Sequence, residues 1–183
     1  MRSTRFCLPL STTTIAIGMT FLFALTVLTV NPVHAARPAK GTSIAIPAMG
    51  IDTEIFWMDI TPQNGEPVWY IAPWETRVGH LEQTAWLGEG SNIVIGAHAN
   101  MPDGSWGIFG FLPYLQIGEQ IIIREDGVEY TFVVQETLIV SYTDVSVVEV
   151  DEDRLTLITC SAVFDPALAD YPYRHVVIAL PVH

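Results

Sequence analysis

Positive charge is scarce in this sequence. Of 183 residues, 8 are Lys or Arg and 20 are Asp or Glu, which gives a formal charge of −12. A protein that grips DNA or RNA needs clustered cations to neutralise phosphates, so the composition argues against a nucleic-acid partner. Cysteine is scarcer still, with only Cys7 and Cys160 in the whole chain. Cys7 falls in an apolar N-terminal stretch, which leaves Cys160 as the one thiol of the remainder, without an intramolecular partner. A disulfide framework is therefore ruled out. Internal repeats and low-complexity tracts are also missing, and the length suits one domain with a short appendage.

What is there begins with a targeting element. Arg2 and Arg5 precede Leu8 to Val30, a run with no charged residue. Asn31 and Pro32 then break the run, and Val33-His34-Ala35-Ala36 offers small residues where a signal peptidase would cut. Cleavage after Ala35 is one reading. A retained membrane anchor is the other, since an uncharged stretch of about 20 residues can cross a bilayer. Both place the rest of the chain outside the cytoplasm, because the positive flank stays inside. Residues 1–36 thus read as signal peptide or anchor, 37–42 as linker and 43–183 as the folded domain.

The domain is patterned for strands. Ser43–Ile46 and Ile51–Trp57 are separated by Pro47 and Gly50, and Asn92–His98 is a β-branched run ending in histidine. Gln120–Arg124 and Val128–Val140 flank Glu125-Asp126-Gly127, a hairpin signal. Arg154–Thr159 and His175–Leu180 complete the set. Thr61–Pro73 reads as loop, Val78–Gly90 as mixed, and Ile108–Leu115 as one or two helical turns interrupted by Pro113. The fold class is mainly all-β: a small closed β-barrel of seven or eight strands with one or two short helices.

Cys160 ends one strand, and Arg174 opens the next 14 positions later. If the two strands pair antiparallel, thiol and guanidinium share one rim. A neighbouring cation favours the thiolate, and the same cation can hydrogen-bond an oxyanion. A cysteine nucleophile also needs an acid/base. Of the five histidines, His34 lies in the processing region and His183 at the terminus. His175 faces away from Arg174, and His80 sits in the mixed segment. His98, ending its own strand before a loop, is the candidate. The residues alone leave open a second reading, in which Cys160 is a buried, inert small hydrophobe.

Leu155-Thr156-Leu157-Ile158-Thr159-Cys160 resembles the T-L-x-T-C signature of the sortases. Asn92–His98 is similar to the sortase strand ending in the catalytic histidine, although the family usually has Gly directly before that residue and Ala97 stands there here. Arg174 with Ala179 resembles the family's arginine strand, Phe109–Ile123 its helix-then-strand element, and Ser43–Pro47 its first strand. The short domain and the Val78–Gly90 segment look like the class D, E and F enzymes. The resemblance implies a cysteine transpeptidase with Cys160 as nucleophile, His98 as acid/base and Arg174 as oxyanion stabiliser. It would cut an LPxTG-like sorting motif between Thr and Gly through a thioester.

Its partners would be surface proteins carrying a C-terminal sorting motif and an amine acceptor, either a cell-wall precursor or a pilin lysine. The membrane joins them if the N-terminal segment is uncleaved. Thr159 matches a position that helps order substrate. Phe164, Tyr171 and Tyr173, in the loop from Cys160 to Arg174, are further substrate-binding candidates, or they pack that loop onto the barrel. No cofactor is implied. Some sortases bind calcium near this region, but Asp144, Glu149, Asp151, Glu152 and Asp153 lack a fixed ligand spacing and read as a solvated acidic loop. The location implied is extracytoplasmic, membrane-anchored or secreted. Two rivals remain: an exported, non-catalytic β-barrel binding module, and a sortase-like peptidase that mainly hydrolyses.

Overall fold

In the computed structural model, residues 36–63, 65–161, 163–168 and 170–182 are described. The targeting run, Cys7, His34 and His183 lie outside them. Eight strands close a barrel: β1 (Ser43–Ile46), β2 (Ile51–Met58), β5 (Val78–Leu81), β6 (Asn92–Gly96), β9 (Arg154–Ser161), β10 (Tyr173–Pro181), β8 (Val128–Ser141) and β7 (Gln120–Glu125), in that order around the wall and back to β1. The pairings are antiparallel except β2 with β5 and β6 with β9, which are parallel. The expected closed barrel is present. Among the described residues helix is limited to two 3-10 turns, Pro47–Met49 and Leu112–Tyr114. Among the described residues no helix is long and apolar enough to cross a membrane.

The period-2 alternation of the strands divides the apolar residues between two faces. Ile44, Ile46, Ile93, Ile95, Ile121, Ile123, Leu155 and Leu157 fill the barrel interior. Phe109, Leu112 and Leu115, from the segment after His98, enter the same core. Each such fully buried side chain contributes roughly 1.5–3 kcal/mol. The outward residues of β6, β9 and β10 are covered as well. Val94 packs with Met58, Leu81, Trp69 and Ile71, and Val176 packs with Val147 and Ile178.

Trp69 belongs to an element the sequence reading missed. Thr61–Pro73 is not all loop: β3 (Ile60–Gln63) and β4 (Glu66–Trp69) form a separate antiparallel pair. Pro62 stands opposite Pro67 in that pair. A two-stranded ribbon has only edges, where proline is tolerated, so the residues that argued against strands do not prevent them. Val147 and Val148 belong to the β8–β9 connection. Their carbonyls accept from the buried Asn92 Nδ2, both at 3.0 Å, while Asn92 Oδ1 accepts from Thr156 Oγ1 at 2.7 Å. One amide thus ties the connection to the barrel wall.

His80, in the segment the sequence left mixed, is fully buried on β5 between the rings of Trp57 and Trp86. Its Nε2 donates to the Ala85 carbonyl at 2.8 Å, and Nδ1 has no partner among the described residues. Burial pushes the imidazole down to about 4, against a smaller upward pull from the Ala85 bond. The unfolded chain therefore binds a proton that the folded barrel refuses, between about 6.5 and 4. Stability should fall as pH drops through that window, by about 2 kcal/mol between neutral pH and pH 5. Urea unfolding of the protein and of His80→Gln at both pH values checks this: the variant should show a visibly smaller loss, and an equal loss would refute the assignment.

Candidate active site

Backbone pairing sets the site. In the β9–β10 register Cys160 stands directly opposite Arg174. In the parallel β6–β9 register Gly96 stands beside Ile158, and the Ala97 N–H still donates to the Ile158 carbonyl. Continuing that pairing by two residues brings His98 level with Cys160. The three side chains thus occupy the ends of adjacent strands in the order His98, Cys160, Arg174, at one end of the barrel and on its outer face. The sequence reasoning singled out these same residues.

His98 is gripped from the side. Its Nε2 lies 2.9 Å from the carbonyl oxygen of Ala72. A carbonyl only accepts, so Nε2 carries hydrogen and Nδ1 is the nitrogen left for proton exchange. The Ala72 carbonyl also accepts from the Glu75 N–H at 2.9 Å, which closes a turn around it. Glu75 in turn binds Arg77 through both carboxylate oxygens, at 2.9 and 2.8 Å. The Arg77 hydrogen bond holds the Glu75 carboxyl down at about 2. From below, the Phe109 N–H donates to the His98 carbonyl at 3.0 Å. Gly107 crosses so near that a Cβ there would sit 2.3 Å from the His98 carbonyl oxygen. Only glycine fits that crossing.

Arg174 is held just as firmly. Nη1 donates to the carbonyls of Tyr171 and Tyr173 at 2.8 and 3.1 Å, and Nη2 pairs with Asp170 Oδ2 at 2.7 Å. The guanidinium also lies 6.0 Å from the ring centre of Tyr142. Nε and the second Nη2 hydrogen have no partner among the described residues, which leaves donors for an oxyanion. Cys160 is partly exposed. Burial pushes its thiol above the ordinary range, Arg174 pulls it back, and Asp170 pushes it up again. Asp170, Tyr142 and Ala72 were not foreseen. Asp170 has no signature beyond lying four residues before Arg174, and a backbone carbonyl has none at all.

The substrate-binding candidates are placed less uniformly. Thr159 faces the interior, where its hydroxyl donates to the Ala97 carbonyl at 2.8 Å, joining the Cys160 strand to the His98 strand. Phe164 and Tyr171 meet edge to face, 5.5 Å between ring centres, and Phe164 remains exposed. Tyr173 is exposed beside Arg174. Among the described residues no three His, Cys, Asp or Glu side chains converge as a metal cluster would require. Of the acidic residues before β9, Glu152 pairs with Arg154 at 3.3 Å and Asp144 accepts from the Ser146 N–H at 3.0 Å.

A family model described as the sortase domain matches residues 44–182. Similar folds occur in sortase A from Corynebacterium diphtheriae (25% identity, TM-score 0.62, covering 81% of this chain and 63% of that one). Sortase C1 from Streptococcus agalactiae is also similar (20% identity, TM-score 0.59, 77% and 66% covered). So is a Clostridium perfringens sortase D5 transpeptidase (22% identity, TM-score 0.58, 78% of each chain covered). This chain spans just under two thirds of the length of the first two. No curated protein sequence matches it.

The opposed charges around the thiol give a direct test. Asp170→Asn removes the carboxylate that raises Cys160 and should move its titration to lower pH, whereas Arg174→Ala should move it to higher pH. Alkylation rate against pH reads both shifts. Coincident profiles for the three proteins would mean that neither charge acts on the sulfur.

Proposed function

Because this chain belongs to the sortase family, we propose that it is a cysteine transpeptidase acting on surface proteins with an LPxTG-like sorting motif. The observation that carries this reading is the register that sets Cys160 opposite Arg174 and brings His98 level on the other side. The Cys160 sulfur attacks the Thr carbonyl of the motif. The C–S bond forms as His98 Nδ1 takes the thiol proton, giving a tetrahedral intermediate; its collapse breaks the Thr–Gly C–N bond, and His98 gives that proton to the departing amine. Arg174 donates from Nε or Nη2 to the oxyanion of the tetrahedral intermediate.

An acceptor amine then attacks the thioester, losing a proton to His98 and returning the sulfur as thiolate. The acceptor is a cell-wall precursor or a pilin lysine. The residues support this chemistry without a cofactor. Cys160 has no cysteine partner in the domain, which keeps a thiol available in an extracytoplasmic setting. The N-terminal run anchors the enzyme there or directs its export.

Intact-mass analysis of the full-length protein with an LPxTG-type peptide should show a thioester adduct that Cys160→Ala lacks. Arg174→Ala should slow its formation about a hundredfold, as loss of an oxyanion donor does. Added triglycine should yield ligated peptide. Hydrolysis alone would make the chain a peptidase. A thiol that neither acylates nor alkylates would mark a binding module.

A further inference from the structure

Residues 36–42, read from the sequence as a linker, are tied to the barrel at several points. The Ala36 N–H donates to Glu89 Oε1 at 3.0 Å. Arg37 lies 4.5 Å from the ring centre of Trp57 and pairs with Asp59 at 3.8 Å. The Ala39 N–H and the Thr42 hydroxyl both donate to Glu125 Oε1 at 2.9 Å. Glu125 also accepts from the Trp86 indole, at 3.0 and 3.2 Å. The segment therefore lies at the barrel end where β1, β6 and β9 begin, opposite the end that carries Cys160.

Glu89 meets the first of these residues with a charge that no side chain offsets. Its Oε2 accepts from the Trp86 N–H at 2.7 Å, which fixes the carboxylate. Gly88 and Gly90 on either side take φ of 82° and 68°, a left-handed backbone that other residues resist, so the turn carrying Glu89 is set by the sequence. The side chain is half-buried, and among the described residues no Lys or Arg pairs with it. A carboxylate drawn out of water without a cation bears a desolvation cost. One amide N–H at Ala36 offsets part of it, and a cation at the same place would offset more.

The residues before Ala36 can supply that cation. Val33-His34-Ala35 has small residues where a signal peptidase cuts. We propose that the chain is cut after Ala35 and that the new α-ammonium of Ala36 docks on Glu89 as an ion pair. Water splits the Ala35–Ala36 amide. Ala35 ends as a carboxylate, and Ala36 begins with an amine that takes up the proton, because α-amino groups titrate near about 8. The nitrogen already lies 3.0 Å from Glu89 Oε1, so the pair forms without moving the chain. Of the two fates of the N-terminal run, retention and removal, only removal gives Glu89 its counter-charge. The proposal is independent of the acylation chemistry.

Expression of the full-length chain in an exporting bacterium, followed by intact-mass analysis, reads the terminus. A protein starting at Ala36 is expected, and a retained or differently cut N-terminus would overturn the proposal. Cleavage alone does not require the ion pair, so thermal unfolding of the processed protein tests it separately. Glu89→Gln should lower the unfolding midpoint by about 2 °C. The change is near-isosteric and keeps an acceptor for the Trp86 N–H, so the fold is retained. Pyridoxal phosphate takes up an N-terminal amino group and leaves a ketone, which removes the cation. The protein so treated should lose the same ~2 °C, and treated Glu89→Gln should lose nothing further. Strictly additive losses, or no loss in either case, would show that Ala36 and Glu89 are not paired.

Discussion

The hydrogen-bonded alignment of β9 between β6 and β10 is the constraint on which the rest depends. Side chains alternate along a strand, so a slip of one residue would turn Cys160 into the barrel and put Thr159 in its place on the outer face. Several features oppose such a slip. Thr156 and Asn92 share a buried hydrogen bond across β6 and β9, and Thr159 reaches the carbonyl of Ala97. Leu155 and Leu157 are fully buried and would be driven outward by the same movement. Polar and apolar residues thus fix one register, and that register puts histidine, thiol and guanidinium side by side.

Alignment alone does not produce a nucleophile. A thiol at this rim loses solvent, which penalises the thiolate. Arg174 works against that penalty, but it does not act as a free cation, because Asp170 lies 2.7 Å from it. The carboxylate weakens the field at sulfur while fixing where the guanidinium points. Without such a tether, a long arginine side chain on a loop margin would lose its orientation to rotamer freedom. The arrangement trades some thiolate stabilisation for a guanidinium whose unused hydrogens are held in place before substrate arrives.

Much of this was readable in the residues, for physical reasons. The β-branched runs around Asn92, Gln120 and Arg154 declare strands, and the short Ser161–Tyr173 span allows β9 and β10 to pair antiparallel. Cys160 opposite Arg174 follows from those two facts. Other parts carry no signal. Pro62 and Pro67 suggest loop, yet they face each other in a ribbon. Ala72 acts through a carbonyl, which every residue possesses. Asp170 is one of 20 acidic residues, and only the turn of the loop singles it out. The hydroxyl of Thr159 donates to the Ala97 carbonyl inside the barrel, a contact that its place beside Cys160 in the sequence does not announce.

The segment after His98 shows how the fold couples stability to the site. Phe109, Leu112 and Leu115 point inward and complete the core at that end of the barrel, while Trp106, Phe111 and Tyr114 stack outward in solvent. The same segment carries Gly107 and the Phe109 N–H, which pack and hydrogen-bond against the His98 backbone. Burial of three apolar side chains therefore fixes the histidine from below, as the Ala72 turn does from the side. A local opening that released Phe109 from the core would loosen the His98 backbone and leave the imidazole held through Ala72 alone. Packing at this end of the barrel therefore bears on where the residue that moves the proton is held.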